Sequence, residues 1–145
     1  MEIAPKTFVT HRLVKSEDLN HHGTLFAGRS AEWFVEAGFV SATAGLLDPK
    51  KIVCLKIYGM EFLYPVRLGS LLCYESKVVL TGRSSLMAYI SARQVDKPNA
   101  EIFTDGFIRF VHVDENTHAM PHNITIAPVI DEDKALMERA QNLPK

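Results

Sequence analysis

Nine consecutive residues, Asn20-His21-His22-Gly23-Thr24-Leu25-Phe26-Ala27-Gly28, place an amide, two imidazoles, a hydroxyl and two glycines just where a long helical segment begins. A helix start leaves its first backbone N–H groups unpaired and slightly positive. Such groups polarise a carbonyl and hold the oxyanion formed when it is attacked. Gly23 and Gly28 leave room for a substrate to approach the backbone closely. Asn20 can both donate and accept, which suits orienting a water or a carbonyl, although an asparagine also forms turns with no further task. His22 can cap the helix or touch a substrate, or lie on the loop surface. Side chains of neighbouring residues diverge, so His21 and His22 are not expected to form a metal pair. Two carboxylates follow, Glu32 and Glu36, four residues apart and therefore on one helical face. On a mostly apolar helix a carboxylate needs a partner or a task. Each could act as nucleophile or as general base for water; each could equally face solvent or join an ion pair, for instance Glu32 with Arg29. Both readings remain open at this level.

The elements that must position these groups fit one domain. The chain has 145 residues, 47% hydrophobic and 23% charged, with a net charge of −1. That composition describes a foldable globular chain. The charge balance disfavours a globally basic nucleic-acid binder, which would need a positive surplus. No secretory signal is read at the N-terminus, and no apolar run is long enough for a membrane span, so a cytoplasmic protein is expected. Cys54 and Cys73 both sit in apolar runs and are expected as buried free thiols. With no CxxC and no Cys/His cluster, no metal site is expected.

Lys6–Val14 alternates as a strand does. After the polar loop Ser16–Thr24, a helix is expected from Leu25 to about Leu47, stopped by Asp48-Pro49. Four strands follow at Lys51–Phe62, Ser70–Thr81, Ser84–Gln94 and Glu101–Val113. They are separated by turns at Pro65–Gly69, Gly82 and Lys97-Pro98-Asn99. Such short links imply antiparallel neighbours. A short polar helix is expected over about 131–142, with Asp131 near its cap. Apolar residues lie around most of the long helix, which is therefore expected to be enclosed. A five-stranded antiparallel sheet curled around one helix satisfies this pattern: an α+β chain of the hotdog architecture, one domain over 1–145. One sheet edge and one helix flank would still need cover, so a dimer is expected.

The stretch Asn20 to Gly38 resembles the signature of hotdog-fold acyl-CoA thioesterases of the broad-range acyl-CoA hydrolase group. Their pattern is roughly N-x-x-G-x-x-x-G-G followed by a helical acid. Glu61-Phe62 with Pro65-Val66 and Gly69 resembles their F-x-x-P-V-x-x-G turn. Gly82-Arg83-Ser84-Ser85 resembles their G-R-[ST]-S, and Phe110–Asp114 resembles their closing strand. The likeness runs from about Phe8 to Pro121. It implies hydrolysis of an acyl-CoA thioester, with coenzyme A entering as part of the substrate and no separate cofactor. Asn20 matches the active-site asparagine, and Ala27-Gly28 the Gly-Gly pair of the oxyanion hole. Gly23 falls on the pattern's first glycine, next to His22, and both are carried as substrate contacts. Gly82, Arg83 and Ser84 match residues near the nucleotide part of coenzyme A, and a guanidinium and a hydroxyl suit phosphate oxygens. The resemblance also implies a homodimer, assembled as a hexamer by three dimers; the balanced charge and the lack of a long apolar run leave neither nucleic acid nor membrane as an expected partner.

Two departures stand out. Where the family carries its acid, fifteen residues after Asn20, this chain has Val35. Glu32 lies on nearly the same helical face as Val35, one turn nearer the helix start, whereas Glu36 points about 100° away. Some hotdog thioesterases carry an acid–tryptophan pair, here Glu32-Trp33, with a threonine eight residues earlier, here Thr24. Glu32 is therefore preferred over Glu36 as the acid. The second departure is Ala27 for glycine, which keeps the backbone N–H. Phe26, Trp33, Phe34, Met60 and Phe62 are candidates for closing an acyl tunnel, each of them also ordinary core. Two other functions fit a hotdog chain: acyl-CoA binding without turnover, with Val35 marking lost chemistry, and hydration or dehydration of a β-hydroxyacyl thioester, for which no clear Asp and His pair is found.

Overall fold

In the computed structural model, residues 1–44, 46–97 and 101–145 are described. The elements are β1 (Glu2–Ile3), β2 (Phe8–Leu13), α1 (Ala27–Thr43), β3 (Ile52–Gly59), β4 (Leu71–Thr81), β5 (Ser85–Gln94), β6 (Ile102–His112), β7 (Thr125–Ile126) and α2 (Asp131–Gln141). Five strands form one antiparallel sheet in the order β2-β4-β5-β6-β3. All five match expected strands, with ends shifted by no more than three residues. The β1–β7 pair is a separate two-stranded parallel sheet that no periodicity announces, because each strand has only two residues. The turn expected at Lys97-Pro98-Asn99 falls mostly outside the described residues.

The sheet curls around α1. Two side-chain hydrogen bonds tie helix to sheet: Ser76 Oγ donates to the Ala37 carbonyl at 2.6 Å, and the Ser30 and Tyr74 hydroxyls lie 2.9 Å apart. At Gly38 an added Cβ would stand 3.0–3.1 Å from Ile108 and Ile90 side-chain carbons, so glycine sets how closely α1 approaches β5 and β6. The core here is Trp33, Phe34, Tyr74, Phe103, Ile108 and Phe110 with their neighbours. On the convex face of the sheet, α2 buries Leu136 and Ala140 against Tyr58, Val79, Met87 and Phe107. Three acids, Asp131, Glu132 and Asp133, occupy its first turn, where the helix dipole favours them. Its cap is Ile130, one residue before the expected Asp131.

Two expectations need correction and one is sharpened. First, α1 begins at Ala27 and ends at Thr43, not at Leu25 and Leu47. Leu25 is extended and buried, its N–H donating to the Val66 carbonyl at 2.7 Å, so the chain must turn the corner at Phe26 before winding. Second, the flank of α1 expected to need cover is a stripe of Gly28, Glu32, Glu36 and Val40, exposed at a spacing of four. Third, Cys73 is buried but Cys54 is exposed, because Cys54 lies on β3, the sheet's open edge.

The Lys77 ammonium is mostly buried under α2, paired with Asp133 at 2.5 Å and with Glu132 at 3.7 Å. Asp133→Ala would leave that ammonium buried beside the exposed Glu132 alone. A loss of about 3 kcal/mol is expected, read as a lower denaturant midpoint with unchanged slope; a change under about 0.5 kcal/mol would show the pair to be dispensable.

Candidate active site

Asn20 organises its loop through its side chain. Its Oδ1 accepts the backbone N–H of His22 at 2.8 Å and of Thr24 at 3.2 Å, and its Nδ2 donates to Thr24 Oγ1 at 3.1 Å. The backbone closes the same turn: Asn20 N–H donates to the Thr24 carbonyl at 2.7 Å and Gly23 N–H to the Asn20 carbonyl at 3.1 Å. Gly23 sits at φ +77°, a conformation that favours glycine. A primary amide has two N–H protons. Thr24 takes one, and the other is free to meet a ligand.

The loop is fastened to the helix by Asp18 and Arg29. Asp18 is buried; its Oδ1 lies 3.1 Å from Arg29 Nε, its Oδ2 accepts Lys15 N–H at 2.9 Å, and its backbone carbonyl accepts Phe26 N–H at 2.8 Å. Neither residue was singled out as a site residue from the sequence. The signal was only an acid ahead of the helix and a base on its first turn.

At the helix start, Arg29 and Ser30 N–H both reach the Phe26 carbonyl, at 3.0 and 3.1 Å. The N–H groups of Ala27 and Gly28 meet no acceptor among the described residues. Asn20, Thr24, Ala27 and Ser30 border one cleft of about 340 Å³. Its other walls are Leu25, Phe62–Val66 and Phe103. Tyr64 is held there by a 2.6 Å hydrogen bond to the Glu101 carbonyl. Beneath Ser30 lies Tyr74, whose hydroxyl is pushed up to about 12, chiefly by burial, and so stays protonated at neutral pH. Of the residues considered for an acyl tunnel, Phe62 lines the cleft, whereas Trp33 and Phe34 belong to the core.

The remaining candidates lie elsewhere on the protomer. Glu32 and Glu36 do not border the cleft; they face a groove between α1 and β2. There Glu32 lies 3.4 Å from Arg29, and Glu36 lies 2.6 Å from Arg12, whose guanidinium also stacks over Trp33. His21 and His22 are exposed, with ring centroids 4.0 Å apart. Gly82, Arg83 and Ser84 form the β4–β5 turn, at the opposite end of the sheet from the Asn20 loop. Gly82 and Arg83 border a separate open depression with Asn123 and Thr125. Among the described residues, no three His, Cys, Asp or Glu side chains gather as metal ligands, and no helix is long and apolar enough to cross a membrane.

The family profile described as the thioesterase superfamily matches residues 22–100, more than half the chain. This chain belongs to the thioesterase superfamily. The matched residues include the loop from His22 onward, all of α1 and the cleft wall at Phe62–Val66. The uncharacterized acyl-CoA thioester hydrolase YkhA of Bacillus subtilis is 26% identical over 106 residues, covering 72% of this chain and 60% of that protein. The chain thus matches less than two thirds of that relative's length. Among solved structures, an acyl-CoA hydrolase from Bacillus cereus superposes with a TM-score of 0.83 at 25% identity, over 93% of this chain and 82% of that one. An acyl-CoA hydrolase from Staphylococcus aureus, solved with butyryl coenzyme A and coenzyme A, gives 0.80 at 25% identity over the same shares. A hexameric acyl-CoA thioesterase gives 0.79 at 27% identity, over 93% of this chain and 86% of that one. These likenesses make the architecture that of the hotdog thioesterases.

Proposed function

We propose that this superfamily member hydrolyses acyl-CoA thioesters to the free acid and coenzyme A. One observation carries the reading: the unpaired N–H group of Ala27 and the spare Nδ2 proton of Asn20 belong to residues gathered at one apolar-walled cleft, with the unpaired N–H of Gly28 next in the chain. Similarity to acyl-CoA hydrolases supports the substrate class. The thioester carbonyl accepts from the Ala27 and Gly28 amides, which stabilise the oxyanion. Asn20 donates to the carbonyl or to the attacking water. A carboxylate takes the water's proton, and the thiolate, a good leaving group, departs with little need of a strong acid. The reaction uses protein groups and water only. A cytoplasmic location suits such a substrate.

The carboxylate reaches the cleft across a subunit boundary, because Glu32 and Glu36 face away from their own protomer's cleft. A second copy meeting the open edge β3 and the exposed α1 stripe would bring Glu32 of one subunit to Asn20 of the other. A hexamer built from three such dimers would let Arg83 of a neighbouring subunit meet the phosphates of coenzyme A. Glu32 is preferred to Glu36 because its ion pair is the longer one, at 3.4 Å against 2.6 Å, and it lies one turn nearer the helix start.

The reading is tested by following thiol release over an acyl-CoA series. Glu32→Gln is expected to lower kcat/KM by about 10²-fold or more, the usual contribution of a positioned general base, while Glu36→Gln stays within about threefold of wild type. Full activity in Glu32→Gln would remove Glu32 from the mechanism. A second reading, binding without turnover, is favoured by Val35 and by the absence of a carboxylate among the cleft-lining residues described. Tight binding of every ester with no thiol released would establish it.

A further inference from the structure

We infer that the Ser30–Tyr74 hydroxyl pair makes the cleft selective for acyl groups carrying an oxygen on C3, that is, 3-oxoacyl and 3-hydroxyacyl thioesters. This deepens the hydrolase reading above and rests on it. The two hydroxyls lie 2.9 Å apart, and both residues are only 1% exposed. Two hydroxyls carry two protons, and the bond between them uses one. The destination of the second proton decides the chemistry of the cleft floor.

The Tyr74 ring is enclosed edge-on by Trp33 and Phe103, with centroids 6.2 and 6.4 Å away, and Ser30 is the one hydrogen-bond partner of its hydroxyl among the described residues. If Ser30 donates, the phenolic proton is stranded in the core without an acceptor, an arrangement that buried polar groups avoid. If Tyr74 donates, the free proton is that of Ser30, and Ser30 borders the cleft. The second arrangement is the favoured one once an acceptor occupies the cleft. Ser30 has no competing use for its proton within the helix. Ser41 donates to the Gly38 carbonyl and Thr43 to the Phe39 carbonyl, but Ser30 makes no such bond, and the carbonyl one turn back, Phe26, already receives two N–H groups.

Position supplies the rest. Ser30 follows Ala27 by three residues, about 4.5 Å along the helix axis, and its Cα–Cβ bond leans back toward the helix start. A thioester carbonyl seated on the Ala27 amide, which borders the same cleft, therefore carries its C2 and C3 past the Ser30 hydroxyl. The other polar side chains of the lining are committed or less buried: Tyr64 donates to the Glu101 carbonyl, and Asn20 and Thr24 serve each other at the mouth. An oxygen on C3 is the acceptor that Ser30 lacks.

The test compares butyryl-CoA with 3-oxobutyryl-CoA and 3-hydroxybutyryl-CoA, on wild type, Ser30→Ala and Ser30→Thr. Wild type is expected to favour the oxygenated esters in kcat/KM by about tenfold, the worth of one net hydrogen bond. In Ser30→Ala the ratio should fall to about one, and Ser30→Thr, which keeps the hydroxyl, should retain a preference. Equal rates in wild type, or a preference that survives Ser30→Ala, would overturn the inference. If no ester is cleaved, the hydrolase reading fails by itself. The same esters then remain readable as ligands through the rise each gives in melting temperature: a larger rise for the oxygenated pair, lost in Ser30→Ala, supports the inference, and equal rises overturn it.

Discussion

Asn20→Ala is expected to lower kcat/KM for an acyl-CoA by about 10²- to 10³-fold, the usual cost of removing one donor that faces a developing oxyanion. Two losses combine in that variant. The spare Nδ2 proton disappears, and so does the Oδ1 that gathers the His22 and Thr24 N–H groups. Asn20→Asp separates them. A carboxylate keeps the acceptor for both backbone amides, so the loop should hold its shape, while the donor is gone and a negative charge replaces it. Activity should fall as far as in the alanine variant, and slow hydrogen exchange at residues 22–24 should persist only in Asn20→Asp. Wild-type turnover by Asn20→Asp would show that Asn20 supplies loop geometry and no hydrogen bond to the reacting groups.

Leu55→Asp is expected to turn an oligomer into a monomer and to lower activity by at least about 10²-fold, since a site shared between subunits loses its general base. The physical ground lies on β3. It is an edge strand whose outer N–H and C=O groups are unpaired within the protomer, and it exposes Val53, Leu55 and Ile57. Leu55, 63% exposed, falls at the register shift between Cys54 and Lys56. Natural proteins blunt such an edge with charge or cover it. Here Lys56 is the only charge in the strand. Burying one leucine side chain contributes about 1.5–3 kcal/mol, and an unpaired aspartate in its place would oppose association by more. Light scattering reads the mass and thiol release reads the activity. A monomer that retains full activity would place the whole reaction within one protomer and end the shared-site scheme.

Much of the architecture was legible in the sequence because its signals are local. Gly82 and the Pro65–Gly69 segment punctuate alternating runs, and the five strands fall between such marks. The misreading of α1 concerns its ends and has a definite cause. Apolar residues run on past both of them, with Leu25 extended before the helix and Leu46 and Leu47 after it. Glu32 and Glu36 were legible as sharing one face, their partners only in part. The Glu32–Arg29 pair spans three residues and could be anticipated; the Glu36–Arg12 pair joins a helix to a strand 24 residues earlier and could not. Ser30 and Tyr74 are 44 residues apart; Ser30 lies within the signature stretch without being one of its marked positions, and Tyr74 lies outside it. Only the register that sets Tyr74 on the helix-facing side of β4 joins them.

The contacts around Asp18 have a consequence for how this chain can change. The groups proposed to handle the thioester, from Asn20 to Ser30, are held mostly by bonds within residues 15–30, with Val66, Arg67 and Tyr74 as their attachments to the rest. The wall opposite them is a separate stretch, Phe62–Val66 with Phe103. The two walls therefore answer to different mutations. Substitutions in the second can lengthen, shorten or reshape the acyl chain accepted while the bond-breaking apparatus stays as it is. In a superfamily whose members share this frame, the frame behaves as a reusable socket, with most of its reactive half written in one short passage of sequence and the length of its cargo in another.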